Sequence, residues 1–304
     1  MIDLRVQIGK FIFPTPVFVA SGTFGYGEEA SAIADLARIG AIITKSISPE
    51  PRVGNPSPRL FETTAGLLNS IGLQNVGVEA FVAEKLPFLR RVAVPIIVNV
   101  VGKVSDDFVR VVERLEDEDG ITGYELNLSC PNVKEGGLEF SQTAQAAAAL
   151  TIAVRRRTKR LLMPKLTPNV TNVAEIAMAV EGAGADAISL INTLTGMAVD
   201  IETWKPRINT VIGGYSGPAI KPVALAKVYQ VAAAVRVPIV GIGGITCWQD
   251  AVEFFLVGAH AVQVGTTNFI NPRTAIEIAG GLHDYLAQRG LSNLRELTGQ
   301  MKTT

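Results

Sequence analysis

In this sequence, reactive and polar residues gather where apolar runs end. The densest case is residues 123–137, Gly-Tyr-Glu-Leu-Asn-Leu-Ser-Cys-Pro-Asn-Val-Lys-Glu-Gly-Gly. Tyr124 to Leu128 alternate as a strand does. Pro131 cannot donate to a sheet ladder and biases Cys130 away from helical geometry, so the strand is expected to stop there. A thiol then stands at a strand's carboxyl end, on a loop closed by Gly136 and Gly137. Asn127 shares a strand face with Glu125 and Ser129. An amide aimed into a sheet interior needs partners, and a bound ligand can supply them. The local sequence leaves two readings of Cys130 open, a small buried hydrophobe and a reactive thiol.

The ends of other apolar runs carry Ser21, Lys45, Asn99, Asn127, Lys165 and Asn192, then Gly243-Gly244 and Gly265-Thr266. One Asn in such a place reads as a loop cap. The whole set does not, and Lys45 and Lys165 would be ammonium groups where a core tolerates no unpaired charge. The glycine turns after Ile239–Ile242 and Val262–Val264 suit a phosphate, held by backbone N–H groups and the start of a short helix. A tight turn alone would also explain a single Gly-x-Gly-Gly. A lysine beside the N1 and C2 carbonyl of a flavin would stabilise the negative charge of the reduced ring. Amides suit a planar ligand with carbonyl and N–H groups, because each can donate and accept. A thiolate can serve as base toward a carbon acid. His260 falls in a helix-to-strand turn and His283 in a late helix, which leaves Cys130 as the best base.

These residues need elements to position them. Leu4–Val6 and Phe11–Phe13 flank Gly9-Lys10 as a short hairpin. Eight apolar strands follow: 16–20, 41–44, 96–100, 124–128, 161–166, 187–191, 238–241 and 261–264. A helix is expected from the first of these to about Ile39, and helical runs at 104–115, 144–156, 173–180, 223–235 and 250–257. Strands alternating with helices imply a parallel sheet covered on both faces. The strand count and length favour a closed (β/α)8 barrel, an α/β fold of the TIM-barrel type, over an open doubly wound sheet. Residues 1–304 read as one domain, with a β-hairpin at the amino end. Two long connections, 47–76 with Pro49, Pro51, Pro56 and Pro58, and 195–221, are insertions rising over the carboxyl-terminal face.

Composition narrows the function. Lys plus Arg and Asp plus Glu are 28 each among 304 residues, so no long-range field favours nucleic acid or an acidic membrane surface. Cys130 and Cys247 give neither a disulfide framework nor a zinc pattern, and no metal site is expected. A reduced, cytoplasmic setting is the default. Residues 1–5 lack a secretory pattern, and no stretch is apolar enough to suggest a membrane span.

With these residues in view, the chain resembles the dihydroorotate dehydrogenases of family 1, FMN flavoproteins of pyrimidine biosynthesis, essentially end to end. The motifs that carry the resemblance are Ala20-Ser-Gly-Thr-Phe-Gly-Tyr-Gly, Thr44-Lys-Ser, Gly54-Asn-Pro-Ser-Pro-Arg, Asn69-Ser-Ile-Gly-Leu-Gln-Asn, Glu125-Leu-Asn-Leu-Ser-Cys-Pro-Asn, Lys165-Leu-Thr-Pro-Asn, Ile191-Asn-Thr, Ser216-Gly-Pro-Ala-Ile-Lys-Pro and Gly241-Ile-Gly-Gly. The resemblance implies that Cys130 removes a proton from C5 of dihydroorotate while hydride leaves C6 for FMN N5. It implies that Lys45, Asn69, Ser70, Ile71, Gly72, Leu73, Asn127, Asn192 and Thr193 hold the orotate. Ser21, Lys45, Ser46, Asn99, Asn127, Lys165, Ile191 and Gly217 would line the FMN, and Gly243, Gly244, Gly265 and Thr266 its phosphate end.

The membrane-associated family 2 uses serine as base and carries a helical segment ahead of the barrel, for which the strand at Val17 leaves no room. The chain looks most like the B subclass, whose members pair with a subunit holding FAD and an iron–sulfur cluster and pass electrons to NAD. A homodimer within a heterotetramer is then expected. The two cysteines here cannot ligate such a cluster in the usual four-cysteine way. Alternatives are the A subclass, a homodimer using fumarate; a non-redox phosphate-binding isomerase or synthase with Lys45 or Lys165 as Schiff base; and a non-catalytic scaffold.

Overall fold

Strands buried on both sides read as continuous apolar runs, and eight of them form the frame of the molecule. In the computed structural model, which describes residues 2–129, 140 and 142–303, these strands are Val17–Val19, Ile42–Ile43, Ile96–Val100, Gly123–Asn127, Leu161–Leu166, Ile188–Leu190, Ile239–Ile242 and Ala261–Val264. Each pairs in parallel with the next, and Ala261–Val264 closes on Val17–Val19. Around the barrel run the helices Ser105–Glu116, Ala144–Arg155, Val173–Gly182, Lys221–Ala232, Trp248–Leu256 and Thr274–Arg289, and a helical run from 78 to 91. The (β/α)8 expectation and all eight expected strands hold, with shifts of at most one residue at their ends.

Period-two facing sorts the strand residues into two cores. Val17, Val19, Ile42, Ile96, Val98, Leu126 and Val262 point outward and pack against the helices. Phe18, Ile43, Ile97, Met163, Val240 and Ala261 point inward and fill the barrel together with Ile8 and Phe13 of the amino-terminal hairpin. That hairpin pairs Val6–Ile8 with Phe11–Phe13, two residues later in its first strand than expected. Ile8 and Phe13 are completely buried, worth about 1.5–3 kcal/mol each in apolar transfer. The hairpin therefore plugs the amino-terminal end of the barrel, leaving the carboxyl ends of the strands to carry a site.

Two expectations need correction. The helix expected between the first two barrel strands is replaced by 3-10 turns at Glu28–Ala30 and Leu36–Arg38. Gly22, Gly25 and Gly27 all adopt positive φ, which a right-handed helix excludes, and a side chain at Gly25 would collide with the Glu29 carboxylate. The long connections are also more ordered than loops. Leu60–Thr63, Gly66–Asn69, Gly213–Ser216 and Leu194–Gly196 form an antiparallel four-stranded sheet that joins both insertions.

The start of Trp248–Leu256 is fixed by Asp250. Its Oδ2 accepts from Thr246 N and Oγ1 at 2.7 Å and from Cys247 N at 3.2 Å, and its Oδ1 accepts from Lys221 Nζ at 2.7 Å. Burial opposes ionisation, but the bonds from Lys221 and Thr246 outweigh it and bring the carboxyl down to about 2. With an ordinary value of 3.8, the resulting stability is complete above pH 4 and disappears as pH falls through about 2. Asp250→Asn should cost about 2 kcal/mol near pH 7 in urea unfolding, with the difference from the parent shrinking below pH 4. A pH-independent difference would mean that the carboxylate charge contributes nothing.

Candidate active site at the barrel mouth

The barrel interior turns from apolar to polar along its axis. One strand step beyond the Ile97 and Met163 layer, the inward side chains are Asn99, Glu125, Lys165, Ser189 and Gln263, none more than 5% exposed. Glu125 sits at their centre. Its Oε1 accepts from Asn99 Nδ2 at 2.7 Å and lies 3.6 Å from Lys165 Nζ; its Oε2 accepts from Gln263 Nε2 at 2.8 Å and Ser189 Oγ at 2.9 Å. Ladder pairing dictates this meeting, since Asn99 is opposite Glu125 and Ser189 is opposite Lys165. The network reaches the mouth through Ser46 Oγ, which donates to Asn99 Oδ1 at 2.6 Å, and through Lys165 Nζ, which donates to Ser21 Oγ at 3.4 Å.

A second group lies farther toward the mouth. Asn192 Nδ2 donates to Asn127 Oδ1 at 3.2 Å, and Asn192 Oδ1 accepts from Thr193 N at 2.8 Å. Asn127 Oδ1 also accepts from Ser129 N at 3.3 Å. The third group is the 69–73 segment at the end of Gly66–Asn69. Asn69 Nδ2 donates to Gly214 O at 3.2 Å, tying the segment to the second insertion. Asn55 Nδ2 and N reach Ser70 O and Ile71 O at 2.9 and 3.0 Å. Gly72 and then Leu73 both take positive φ, a conformation strained for leucine and characteristic of backbone held in place for a ligand. The buried hydroxyls of Ser70 and Ser129 find no partner among the described residues.

Lys45 follows the second barrel strand and is half-buried, and its ammonium has no hydrogen-bond partner among the described residues. Burial lowers its pKa, the nearby Arg59 guanidinium lowers it further, and Glu29 opposes both. An ammonium in that condition gains from an anionic ligand. Cys130, the expected base, lies outside the described residues. The histidines stand clear of the mouth. His260 Nδ1 accepts from Ile239 N at the opposite end of the barrel, where burial pulls the imidazole below its ordinary value, and His283 is exposed on Thr274–Arg289.

The residues fit FMN when tested against it. Gly243 and Gly244 hold φ of 131° and 71° after the seventh strand, and the short 3-10 helix Thr266–Phe269 starts after the eighth. The N–H groups of Gly243, Gly244, Gly265 and Thr266 have no acceptor among the described residues. A β-carbon on Gly265 would come no closer than 3.9 Å to its nearest neighbour, Ala20, so open space faces that turn. Such unpaired donors on adjacent turns suit a phosphate. Ile191 packs beside Gly243, and Gly217 packs on Gly66 at the edge of the covering sheet. Thr266 Oγ1 donates to Ser216 Oγ at 2.8 Å, closing the gap between turn and sheet.

The sequence profile of the family described as Dihydroorotate dehydrogenase matches residues 3–286. The chain belongs to the dihydroorotate dehydrogenase family. It is 54% identical over 300 residues to a protein of Geotalea daltonii named "Dihydroorotate dehydrogenase B (NAD(+)), catalytic subunit", covering 99% of this chain and 98% of that one. A protein of the same name from Bacteroides thetaiotaomicron is 49% identical over 302 residues, 99% of this chain and 100% of the other. The fold matches a dihydroorotate dehydrogenase of Eimeria tenella, solved in complex with ferulenol, with TM-score 0.82 at 23% identity, over 98% of this chain and 88% of that one.

Within this barrel, Ser21, Ser46, Asn99 and Lys165 share one hydrogen-bonded network and Asn127 meets Asn192, whereas the Lys45 side chain bonds to none of these. Three others were missed as site residues: Glu125, noted only as sharing a face with Asn127, and Ser189 and Gln263. The signal was present. A polar residue in the middle of an apolar barrel strand, as in Ile188-Ser-Leu and Ala261-Val-Gln-Val, must find a partner inside the barrel. Among the described residues no helix is long and apolar enough to cross a membrane, and no acidic, histidine and cysteine cluster could hold a metal.

Proposed function

We propose that this chain is the catalytic subunit of an NAD-linked dihydroorotate dehydrogenase, oxidising dihydroorotate to orotate with FMN as its resident cofactor. The observation that carries the reading is the stacking of two polar groups at the barrel mouth. The Asn127–Asn192 pair lies above a buried lysine and carboxylate network, with free backbone donors at the seventh and eighth strands. The near-complete coverage of relatives bearing that subunit's name supports it.

FMN, when bound, supplies the acceptor for the hydride that leaves C6 of the substrate. The chain's residues do the rest. Asn69, Asn127, Asn192 and Thr193 hold the pyrimidine's carbonyl and N–H edges, with the 70–73 backbone closing one side. Lys45 neutralises the substrate carboxylate. Cys130 takes the proton from C5, so that proton and hydride together leave a C5–C6 double bond. Ser21, Ser46, Asn99, Lys165, Ile191 and Gly217 line the flavin ring, and Gly243, Gly244, Gly265 and Thr266 bind its phosphate. Electrons then pass to NAD through a partner subunit with FAD and an iron–sulfur cluster, two copies of each chain forming a heterotetramer in the cytoplasm.

The test is an anaerobic titration of the purified chain with dihydroorotate, followed by turnover with fumarate and with NAD, each with and without the co-purifying partner. Bleaching of the flavin band, with NAD turnover only when the partner is present, is the expected result. A colourless chain, or a flavin that dihydroorotate does not bleach, would overturn the dehydrogenase assignment. Strong fumarate turnover by the chain alone would overturn the NAD-linked one.

A further inference from the structure

We propose that Glu125 is a positioning residue that holds the Lys165 ammonium ready for the flavin and sets the charge the ring senses; this rests on the flavin-binding reading above. Glu125 is completely buried and binds side chains from four other barrel strands, at Asn99, Lys165, Ser189 and Gln263. Three neutral donors occupy its oxygens at 2.7–2.9 Å, yet the one cation stays back at 3.6 Å. Lys221, by comparison, closes to 2.7 Å on Asp250. Lys165 is 5% exposed, has three donor hydrogens and makes one further long contact, 3.4 Å to Ser21 Oγ. Its charge is balanced by Glu125 while its hydrogen-bonding capacity is left for something at the mouth. Asn99, held by the same carboxylate, passes the constraint to Ser46.

A glutamine can take the place of Glu125 without breaking the network. Its oxygen accepts from Asn99 as the carboxylate does, and Ser189 can turn its hydroxyl to accept. Gln263 Oε1 is buried and has no partner among the described residues. Rotating that amide by half a turn would present this oxygen to the new Nε2. The substitution removes one negative charge, at the cost of an unpaired amide NH2 on Gln263 where an unpaired oxygen stood and of the acceptor for the Ser189 hydroxyl hydrogen, so stability falls while the network's shape is kept. The remaining field of Lys165 then favours the reduced, more negative flavin.

The measurement is the flavin midpoint potential of the purified chain, by equilibration with a redox dye, beside its FMN affinity. E125Q is expected to retain FMN and shift the oxidised-to-reduced equilibrium about tenfold toward reduced, ~30 mV more positive for a two-electron couple. Lys165→Met should move it in the opposite direction. E125D, which keeps the charge, should stay near the parent potential even where melting temperature falls, an outcome that a role in packing alone would not give. An E125Q potential that is unmoved, or more negative, with FMN bound overturns the proposal and leaves the function standing. A parent chain that binds no FMN overturns the function and this proposal with it. If E125Q does not fold, E125D decides: a potential near the parent's with FMN bound supports the proposal, and one displaced as far as that of Lys165→Met overturns it.

Discussion

Replacing Cys130 by alanine should slow reduction of the bound flavin by dihydroorotate by about 10²–10⁴-fold, the usual worth of a general base, while FMN stays bound. The expectation follows from the distribution of titratable groups. Removing a proton from C5 requires a base at the mouth. The buried carboxylate there, Glu125, is saturated by donors from Asn99, Ser189 and Gln263. In the proposed function Lys45 and Lys165 act as cations, and among the described residues neither histidine reaches the mouth. The other cysteine, Cys247, starts the helix Trp248–Leu256 beside Asp250 and provides the internal control. Stopped-flow reduction without oxygen should show Cys247→Ala reducing at the parental rate and Cys130→Ala far slower. Equal rates for the parent and Cys130→Ala would remove the assigned base.

How far such a site can be read from sequence depends on which forces fix it. The barrel strands were legible because burial on both faces favours near-continuous apolar runs, as in Val17–Val19. Lys45, Lys165, Asn127 and Asn192 were legible because they interrupt those runs where a core would not accept them. The covering sheet was not. Leu60–Thr63 is exposed or half-buried along its length, and its partner strand Gly66–Asn69 pairs with Gly213–Ser216, whose residues lie about 145 positions away. Neither composition nor periodicity reports a pairing that distant. The helix wrongly expected before Ile39 failed for a local reason. Apolar spacing there mimics a helix, while three glycines at positive φ build turns that bring Thr23 to Asn268 at 3.2 Å. The centre of the polar network was hidden because Ser189 and Gln263 each look like a lone exception until the barrel closes and brings both onto one carboxylate.

Gly244→Val should lower FMN affinity on the order of a hundredfold, the second large effect. A β-carbon there would stand 2.7 Å from Lys221 Cβ and 2.8 Å from Lys221 N. Lys221 cannot retreat easily, since its ammonium is held by Asp250 and Glu253 at 2.7 and 2.8 Å. The turn must move instead, and with it the N–H groups offered to the phosphate. Overpacking costs roughly 1–3 kcal/mol and a branched residue at positive φ about 1–2 kcal/mol more, which together match that loss of affinity. Fold damage alone could imitate this result, and Gly265→Ala separates the two. Its methyl group meets only Ala20, at 3.9 Å, so the FMN-free protein should melt where the parent does. If a phosphate occupies the space before that turn, the same methyl intrudes on it and FMN binding weakens in a fluorescence titration. Unchanged FMN affinity in Gly265→Ala would place the phosphate somewhere other than between the seventh and eighth strands.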